Sequence, residues 1–290
     1  PNLYVSNHLI QTNQLQGIFK GKNLVLIHLE SFNYFLLENE ITRERFSFLN
    51  ELFKESFVFE NFYNNVGMGV SSDAELSVLT GLYPTGDETL YWEYNEKAYV
   101  LDSIVDLFNQ QSYQTVAIHG DAKTFYNRDV VYNQLYGFDR YYAIENFLED
   151  GYEISKGYTY DSQQGHIHHS PWISDYHLAD YVSSIGKDET QPFMYFPVTM
   201  MGHTPYEYNP YEQEALPDGW KGMSKIAQRY VNYSRYYDEI MKRFFIDEKG
   251  NDQTLDETVY IFYSDHGSGI KNGDLEYLYD GKINEIQTRK

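Results

Sequence analysis

Residues 23–30, NLVLIHLE, carry the clearest evidence for the fold class. A short and almost continuous apolar run is typical of a strand that is buried on both faces, as in a parallel sheet covered by helices. The run ends in a carboxylate, and ligands of open α/β sheets bind beyond the carboxyl ends of the strands. Residues 23–30 therefore predict a buried parallel strand that delivers Glu30 to a functional site.

Strand and helix patterns alternate along the rest of the chain. Apolar runs predict further strands at residues 57–63, 114–118, 192–199 and 257–263. Apolar residues three and four positions apart predict helices at residues 42–56, 71–82, 103–111, 125–135, 172–185 and 224–245. Strands that alternate with helices predict an α/β fold with a doubly wound, mostly parallel sheet flanked by helices.

Composition divides the chain into two parts. Residues 1–21 are polar, rich in Asn and Gln, and show no period, which predicts an N-terminal arm on the surface. Residues 22–290 are predicted to form a single catalytic domain. After Gly267 the chain is mostly polar and contains no further apolar strand, so we expect the C-terminal part of this domain to lie beyond Lys290.

Charge and composition exclude several classes of function. The 290 residues include 22 Lys and Arg against 43 Asp and Glu, a formal net charge of −21, whereas nucleic acid binding requires many basic contacts. The absence of cysteine removes disulfide and thiolate chemistry and agrees with an extracellular location. The longest apolar run is far shorter than the ~20 residues that span a bilayer, so no transmembrane segment is predicted within the chain.

Reactive side chains follow four predicted strand ends and turns. Glu30 ends the first strand, Ser71 follows a glycine-rich turn, His119 ends a middle strand, and Asp265 and His266 end the last one. Two carboxylates and an imidazole form a mixed ligand set suited to Mn²⁺, Mg²⁺ or Zn²⁺, and an adjacent hydroxyl can complete it. A serine bound to a cation at a helix N-terminus is an activated nucleophile. The pattern predicts a metal centre that contains Ser71.

Simpler explanations exist for each of these residues taken alone. A carboxylate at a strand end is often solvated, and Ser71 or Ser72 is expected to be the N-cap of the helix at residues 71–82. Their common order and spacing favour one site. A second histidine-rich segment, residues 166–169, lies in a stretch rich in Gly, Ser and Gln without a nearby carboxylate. We interpret it as a surface loop and not as a metal site.

Five motifs occur in an order that resembles the lipoteichoic acid synthase family of the alkaline phosphatase and sulfatase superfamily. They are Glu30, GMGVSSDAE at residues 67–75, HGDAKTFYNRD at 119–129, GHTPY at 202–206 and SDHG at 264–267. The resemblance runs from about residue 22 to residue 267. It implies a membrane-anchored enzyme of the Gram-positive cell wall whose extracellular domain transfers glycerol phosphate from phosphatidylglycerol to a growing polyglycerol phosphate chain.

The resemblance also implies roles for individual residues and a cofactor. The cofactor it implies is one divalent cation, with Mn²⁺ favoured and Mg²⁺ or Zn²⁺ as alternatives. Ser71 is implied to be both a metal ligand and the nucleophile. The implied metal ligands are Glu30, Ser71, Asp265 and His266. The implied contacts to the headgroup and the leaving group are His119, Tyr126, Arg128 and His203. A forked Arg128 side chain suits phosphate, and His203 suits protonation of the leaving alkoxide.

Three positions depart from the family pattern. Ser71 stands where Thr is usual, Val70 where Lys is frequent, and Tyr126 where Trp is frequent, which leaves the exact substrate open. A phosphoethanolamine transferase, another phosphodiester-cleaving enzyme and an inert extracellular domain that binds polyglycerol phosphate remain alternatives. A formylglycine sulfatase is disfavoured because Ser71 is followed by Asp73 and Glu75 and not by Pro and Arg. The predicted location is the outer face of the bacterial membrane, through a transmembrane segment upstream of Pro1.

Overall fold

A parallel sheet forms the centre of the protein. The computed structural model describes residues 13–84, 86–94, 100–154, 158–161, 166–211 and 214–279. The strands are β1 Asn23–Leu29, β2 Gln114–His119, β3 Arg140–Tyr142, β4 Tyr158–Asp161, β5 His166–His169, β6 Phe193–Val198 and β7 Thr258–Ser264. Five of them form one sheet in the order β3-β2-β6-β1-β7, and every neighbouring pair is parallel. The predicted α/β class and parallel sheet are confirmed.

Helices connect the strands. They are α1 Phe35–Glu38, α2 Glu40–Arg43, α3 Ser47–Leu52, α4 Ser71–Thr80, α5 Leu90–Glu93, α6 Ile104–Gln110, α7 Arg128–Gln134, α8 Ile144–Glu149, α9 Asp175–Asp188, α10 Lys225–Arg243 and α11 Asn272–Leu278. The α4 helix ends at Thr80 because Gly81 adopts φ +71°, a conformation that terminates helices. Among the residues that the structure describes, no helix is both long and apolar enough to cross a membrane.

Both faces of the sheet are covered, as a doubly wound fold requires. Val25 and Ile27 of β1 point to a core that includes Tyr230 and Tyr233 of α10. The alternate residues Leu24 and Leu26 point to the opposite core, where α4 contributes Leu76 and Leu79. Since successive side chains of a strand point to opposite faces, the continuous apolar run of β1 reflects burial on both sides.

Two predictions between β1 and α4 are wrong. Residues 57–63, predicted as a strand, form none, and Phe59 is 80% exposed. Aromatic residues favour strands only where a neighbouring strand and a covering layer exist, and this segment has neither. The helix predicted over residues 42–56 is broken into α2, α3 and a 3₁₀ turn. The break occurs because Asp238 of α10 accepts hydrogen bonds from the backbone N–H groups of Phe48 and Leu49, which starts a new helix there.

Several elements carried no clear sequence signal or lie outside the described residues. The strand β3 and the helices α8 and α11 were not predicted. Residues 166–169, predicted as a loop, form β5, which pairs antiparallel with β4. Of the predicted N-terminal arm, residues 13–21 form exposed turns, and residues 1–12 and 280–290 lie outside the description. The domain boundaries and the C-terminal part of the domain expected beyond Lys290 stay predictions.

Candidate active site

The carboxyl ends of β1 and β7 place two carboxylates side by side. The strands are adjacent and in register, with Leu29 opposite Ser264, so the residues that follow them, Glu30 and Asp265, emerge at the same edge. Both are buried. The Glu30 backbone is fixed by Thr199 Oγ1, which accepts from its N–H at 2.9 Å, and by Tyr237, whose hydroxyl donates to its carbonyl at 2.8 Å.

The α4 helix begins at Ser71 and directs this hydroxyl into the site. Ser71 Oγ lies 3.3 Å from Glu30 Oε2 and 3.3 Å from His266 Nε2. The expectation that Ser71 or Ser72 is the N-cap is wrong, because Val70 occupies that position. Val70 has φ +48°, which a β-branched residue rarely adopts. This conformation makes Ser71 the first helical residue and leaves its hydroxyl available to the site.

The turn before α4 is held by Asp73 of the helix itself. Asp73 Oδ2 accepts from the backbone N–H of Gly67 at 2.8 Å and of Gly69 at 3.1 Å. A Cβ atom at Gly69 would collide with this carboxylate, so a larger residue there would displace the Asp73 side chain that holds the turn. Ser72 turns away from the site and donates to the Gly69 carbonyl at 2.7 Å. The turn therefore selects which of the two serines faces Glu30.

His266 completes a group that we call the four-residue cluster: Glu30, Ser71, Asp265 and His266. His266 Nε2 lies 3.3 Å from Glu30 Oε1 and 3.2 Å from Asp265 Oδ2. The structure thus brings together all four residues that the sequence suggested as metal ligands. Two carboxylates, one imidazole and one hydroxyl form a hard donor set that fits a divalent cation.

The electrostatics of the cluster favour positive charge. Burial lowers the pKa of the His266 imidazole, but the Asp265 and Glu30 carboxylates outweigh it and raise this pKa to about 9. Burial raises the pKa of Asp265, but the electrostatic effect of the adjacent His266 and His28 is larger and lowers this pKa to about 2. The buried Asp265 carboxylate therefore remains ionised and attracts a cation, either a proton on His266 or a metal ion.

His28 also contacts the cluster, and sequence reasoning missed it. His28 Nε2 lies 3.1 Å from Asp265 Oδ2, and Nδ1 lies 2.8 Å from the Tyr263 hydroxyl. Ligand atoms of His28, Glu30 and Asp265 all lie within 4.8 Å of one another. A polar ring inside the apolar run of β1 was the signal that could have identified it, because buried imidazoles need partners.

Arg128 lies outside the cluster, in a buried ion pair with Glu75. Arg128 Nη2 donates to Glu75 Oε1 at 2.6 Å, and Tyr91 and Tyr132 donate their hydroxyls to Oε2 of the same carboxylate at 2.5 and 2.7 Å. Burial raises the pKa of Glu75, but the Arg128 charge and these bonds lower it below its usual value. Arg128 Nη1 has no hydrogen-bond partner among the described residues.

His119, at the end of β2, is buried near Arg128. Its Nδ1 lies 3.0 Å from the Val198 carbonyl, which can only accept, so Nδ1 carries the proton. Its Nε2 is then an acceptor and has no partner among the described residues. Burial and the Arg128 charge lower the pKa of His119 to about 3, so the ring is neutral.

Tyr126 and Trp92 form an aromatic wall beside Arg128. The Tyr126 ring packs on the Trp92 ring with centroids 5.6 Å apart, and the Arg128 guanidinium lies 5.3 Å from the Tyr126 centroid. Tyr126 has φ +56° and sits in a 3₁₀ turn that precedes α7, where the sequence predicted a continuous helix from residue 125. This backbone turn directs Tyr126 away from the helix axis.

His203 lies in the loop after β6, half-buried, with its Nδ1 2.6 Å from the Thr204 carbonyl. The loop touches the cluster through Gly202, where a Cβ atom would come within 2.5 Å of the Glu30 carbonyl. Asp175 at the start of α9 accepts from the backbone N–H groups of Met200 and Met201 at 2.9 and 3.0 Å. Burial raises the pKa of Asp175 to about 7.

Known proteins resemble this chain in sequence and in structure. The lipoteichoic acid synthase-like protein YvgJ of Bacillus subtilis is 29% identical over 253 residues, which cover 86% of this chain and 37% of YvgJ. The lipoteichoic acid synthase of Staphylococcus saprophyticus is 30% identical over 255 residues, 86% of this chain and 36% of that protein. The chain therefore spans less than half the length of these relatives.

The fold has a counterpart among solved structures. The crystal structure of the lipoteichoic acid synthase LtaP from Listeria monocytogenes superposes with a TM-score of 0.74 at 26% identity, over 94% of this chain and 65% of that chain. The match extends the sequence resemblance to nearly every described element. A sequence model described as sulfatase matches residues 22–289. This stretch contains the whole sheet and every residue of the four-residue cluster, and the chain therefore belongs to the sulfatase family.

Proposed function

We propose that this chain is the catalytic domain of a metal-dependent glycerol phosphate transferase that uses phosphatidylglycerol as donor in lipoteichoic acid synthesis. The observation that carries the proposal is the Ser71 hydroxyl, 3.3 Å from both Glu30 and His266 inside a buried anionic cluster. Relatives described as lipoteichoic acid synthases support the same reaction class. The sulfatase alternative requires a formylglycine followed by Pro and Arg, whereas Ser71 is followed by Asp73 and Glu75.

Glu30, Ser71, Asp265 and His266 would hold one divalent cation, for which we propose Mn²⁺ before Mg²⁺ or Zn²⁺. Such an ion neutralises phosphate charge and favours the alkoxide form of a bound serine. The donor set contains no sulfur, which suits hard cations. The net charge of −21 makes local positive charge necessary wherever an anionic headgroup approaches.

The proposed reaction has two halves. The Ser71 Oγ attacks phosphorus, its proton departs along the hydrogen bond to Glu30, and a Ser–O–P ester forms. The bond from phosphorus to the diacylglycerol oxygen breaks, and His203 supplies a proton to that oxygen. A hydroxyl of the polyglycerol phosphate chain then attacks the phosphorus and gives its proton to His203, which the first half left neutral. The Ser71 oxygen leaves and regains its proton from Glu30. Each half is an in-line exchange of one P–O bond for another.

Two unpartnered polar atoms support a small diol phosphate as substrate. Arg128 Nη1 is a buried donor and His119 Nε2 is a buried acceptor, each without a partner among the described residues. A hydroxyl can donate to the imidazole nitrogen and accept from the guanidinium, which a charged ammonium cannot do. The Tyr126 ring forms the wall of this region. We therefore propose glycerol phosphate in preference to phosphoethanolamine.

The whole protein is proposed to act at the extracellular face of the bacterial membrane, where phosphatidylglycerol and the growing chain meet. A membrane segment upstream of Pro1 would hold this domain close to its lipid donor. Because the relatives are more than twice as long as this chain, their membrane context enters here as part of the proposal.

The test uses the 290-residue chain with Mn²⁺ and phosphatidylglycerol in mixed micelles, the glycerol phosphate being labelled with ³²P. We expect release of diacylglycerol and transient labelling of Ser71. Ser71→Ala should abolish both while the circular dichroism spectrum is retained. The matched control is Ser72→Ala, which removes the neighbouring hydroxyl that points away from the site.

Three results would contradict the proposal. They are diacylglycerol release by Ser71→Ala at the wild-type rate, preferential cleavage of phosphatidylethanolamine, and hydrolysis of sulfate esters. Tight Mn²⁺ binding without any turnover would favour an inert binding domain instead.

A further inference from the structure

We propose that His28 is a positioning residue of the metal centre. Its ring orients the Asp265 carboxylate through a hydrogen bond and is not itself a metal ligand. The inference rests on the cation site of the proposed function. By distance alone His28 could be a metal ligand or a residue that supports one, because its ring lies near both Glu30 and Asp265. The hydrogen bonds of its ring decide between them.

Both ring nitrogens of His28 are already used. Nε2 lies 3.1 Å from Asp265 Oδ2, and a carboxylate that binds a cation is deprotonated and can only accept, so in the cation-binding site Nε2 carries a proton. Nδ1 lies 2.8 Å from the Tyr263 hydroxyl. In the neutral ring Nδ1 accepts the Tyr263 proton, and in the charged ring it donates to the Tyr263 oxygen. In neither state does a lone pair remain for a cation.

Asp265 is fixed on three sides by such donors. Its Oδ1 accepts from the backbone N–H of Ser31 at 2.8 Å and of His266 at 2.6 Å, and its Oδ2 faces His28. The open direction of Oδ2 is the one towards His266 Nε2, 3.2 Å away. The carboxylate therefore presents Oδ2 to the four-residue cluster, and the hydrogen bond from His28 keeps Oδ2 in that orientation.

The position of His28 in the sheet makes this support rigid. His28 is fully buried and lies opposite Tyr263 in the β1–β7 register. The rings of Tyr263 and Phe196 contact it edge-on, with centroids 5.2 and 6.2 Å away. A histidine held between two strands and two rings cannot rotate towards the cation site. Partners of this kind typically change metal affinity 10–100-fold when they are removed.

The experiment measures Mn²⁺ binding to the metal-free 290-residue chain by calorimetry and by electron paramagnetic resonance. We expect His28→Leu to weaken Mn²⁺ binding 10–100-fold and His28→Gln, whose amide can still donate to Asp265, to restore most of it. Tyr263→Phe should weaken binding a few-fold. The control is Tyr260→Phe, which removes another hydroxyl of β7, one that accepts from the Leu255 N–H far from the site.

The nitrogen hyperfine signal of bound Mn²⁺ separates positioning from ligation. We expect one imidazole nitrogen in the wild type, retained in His28→Gln and lost in His266→Gln. Loss of a nitrogen in His28→Gln would overturn the proposal, because His28 would then be a ligand. Unchanged affinity in both His28→Leu and Tyr263→Phe would overturn it as well. If the wild type binds no Mn²⁺, the cation site of the proposed function fails, and this inference fails with it.

Discussion

The four-residue cluster and the residues proposed for the headgroup are built in opposite ways. In the cluster, each side chain lies within 3.3 Å of another member. Glu30 and Asp265 directly follow β1 and β7, and Ser71 begins α4. The second group, which we call the headgroup set, consists of His119, Tyr126, Arg128 and His203. Its members contact separate anchors: the Val198 carbonyl, Trp92, Glu75 and the Thr204 carbonyl.

The topology of the sheet fixes the cluster, whereas local partners fix the headgroup set. Adjacent parallel strands in register must present their following residues at one edge, so the cluster follows from the topology. The headgroup set lies at the end of β2, at the start of α7 with the 3₁₀ turn before it, and in the loop after β6. Each member depends on a contact that only the folded chain supplies. The two groups should therefore fail independently when they are mutated.

The largest effect is expected for Asp265→Asn in the cluster. An amide is a weaker ligand than a carboxylate and removes a negative charge from a buried donor set. We expect Mn²⁺ binding to be lost and diacylglycerol release to fall about 10³-fold or more. Calorimetry and the release assay measure the two quantities. Asp256→Asn, an exposed carboxyl just before β7, serves as control, and near-normal affinity in Asp265→Asn would place the cation elsewhere.

The second effect concerns Glu75→Gln, which breaks the anchor of Arg128. Leaving a buried guanidinium without its charge partner destabilises a protein by about 3–5 kcal/mol. Because the Gln amide oxygen can still accept a hydrogen bond from Arg128, we expect the free energy of unfolding of this variant to fall by about 3 kcal/mol. Urea denaturation measures the loss. Mn²⁺ affinity should stay within a few-fold of wild type, although Glu75 and Ser71 share one helix. A parallel loss of Mn²⁺ binding would show that the cluster and the headgroup set are coupled.

A third effect is a pH dependence from Asp175, which holds the loop before His203. Its pKa of about 7 in the folded state lies above the 3.8 of an exposed Asp, so the folded protein binds the proton more tightly. Stability therefore falls as pH rises from about 4 to 7, by about 1.4 kcal/mol between pH 5 and 6. Urea titrations at both pH values measure this slope. Asp175→Asn should remove the Asp175 contribution, and an unchanged slope in that variant would exclude Asp175 as its source.

The smallest effect is expected for Trp92→Ala, which removes the ring packed on Tyr126. Aromatic pairs contribute about 0.5–1.5 kcal/mol beyond burial, so KM for the lipid donor should rise about 2–10-fold with little change in kcat. Trp92→Phe keeps an aromatic partner and should lie between wild type and Trp92→Ala. A fall in kcat with constant KM would instead connect this wall to the chemical step.

The sequence predicted four of the five strands of the sheet, β1, β2, β6 and β7, and the residues of the cluster, because these depend on local patterns. The run before Glu30 and the run before Asp265 are recognisable strands, and parallel strands in one sheet must bring their ends together. Ser71 was recognisable from the turn glycines, even though the predicted cap was wrong: the positive φ of Val70 is imposed by the folded turn and leaves no trace in residue type.

What the sequence did not predict depends on partners distant in the chain. The charge on Glu75 gave no indication that it pairs with Arg128, 53 residues later. His28 looked like an interruption of an apolar strand, and its partners Tyr263 and Asp265 are more than 230 residues away. The aromatic residues 57–63 fitted a strand pattern, but a strand requires a neighbour, and pairing cannot be read from one segment.

The pairing of β1 with β7 also sets when the four-residue cluster can be completed during synthesis of the chain. Tyr263 is 235 positions beyond His28, and the two strands meet only after everything between them has been synthesised. An emerging chain that has reached α4 carries Glu30 and Ser71 but neither Asp265 nor His266. Contacts between such distant segments form slowly and late in folding. The four-residue cluster is therefore complete only after the last strand has docked, and a half-made chain offers no complete set of donors to any cation.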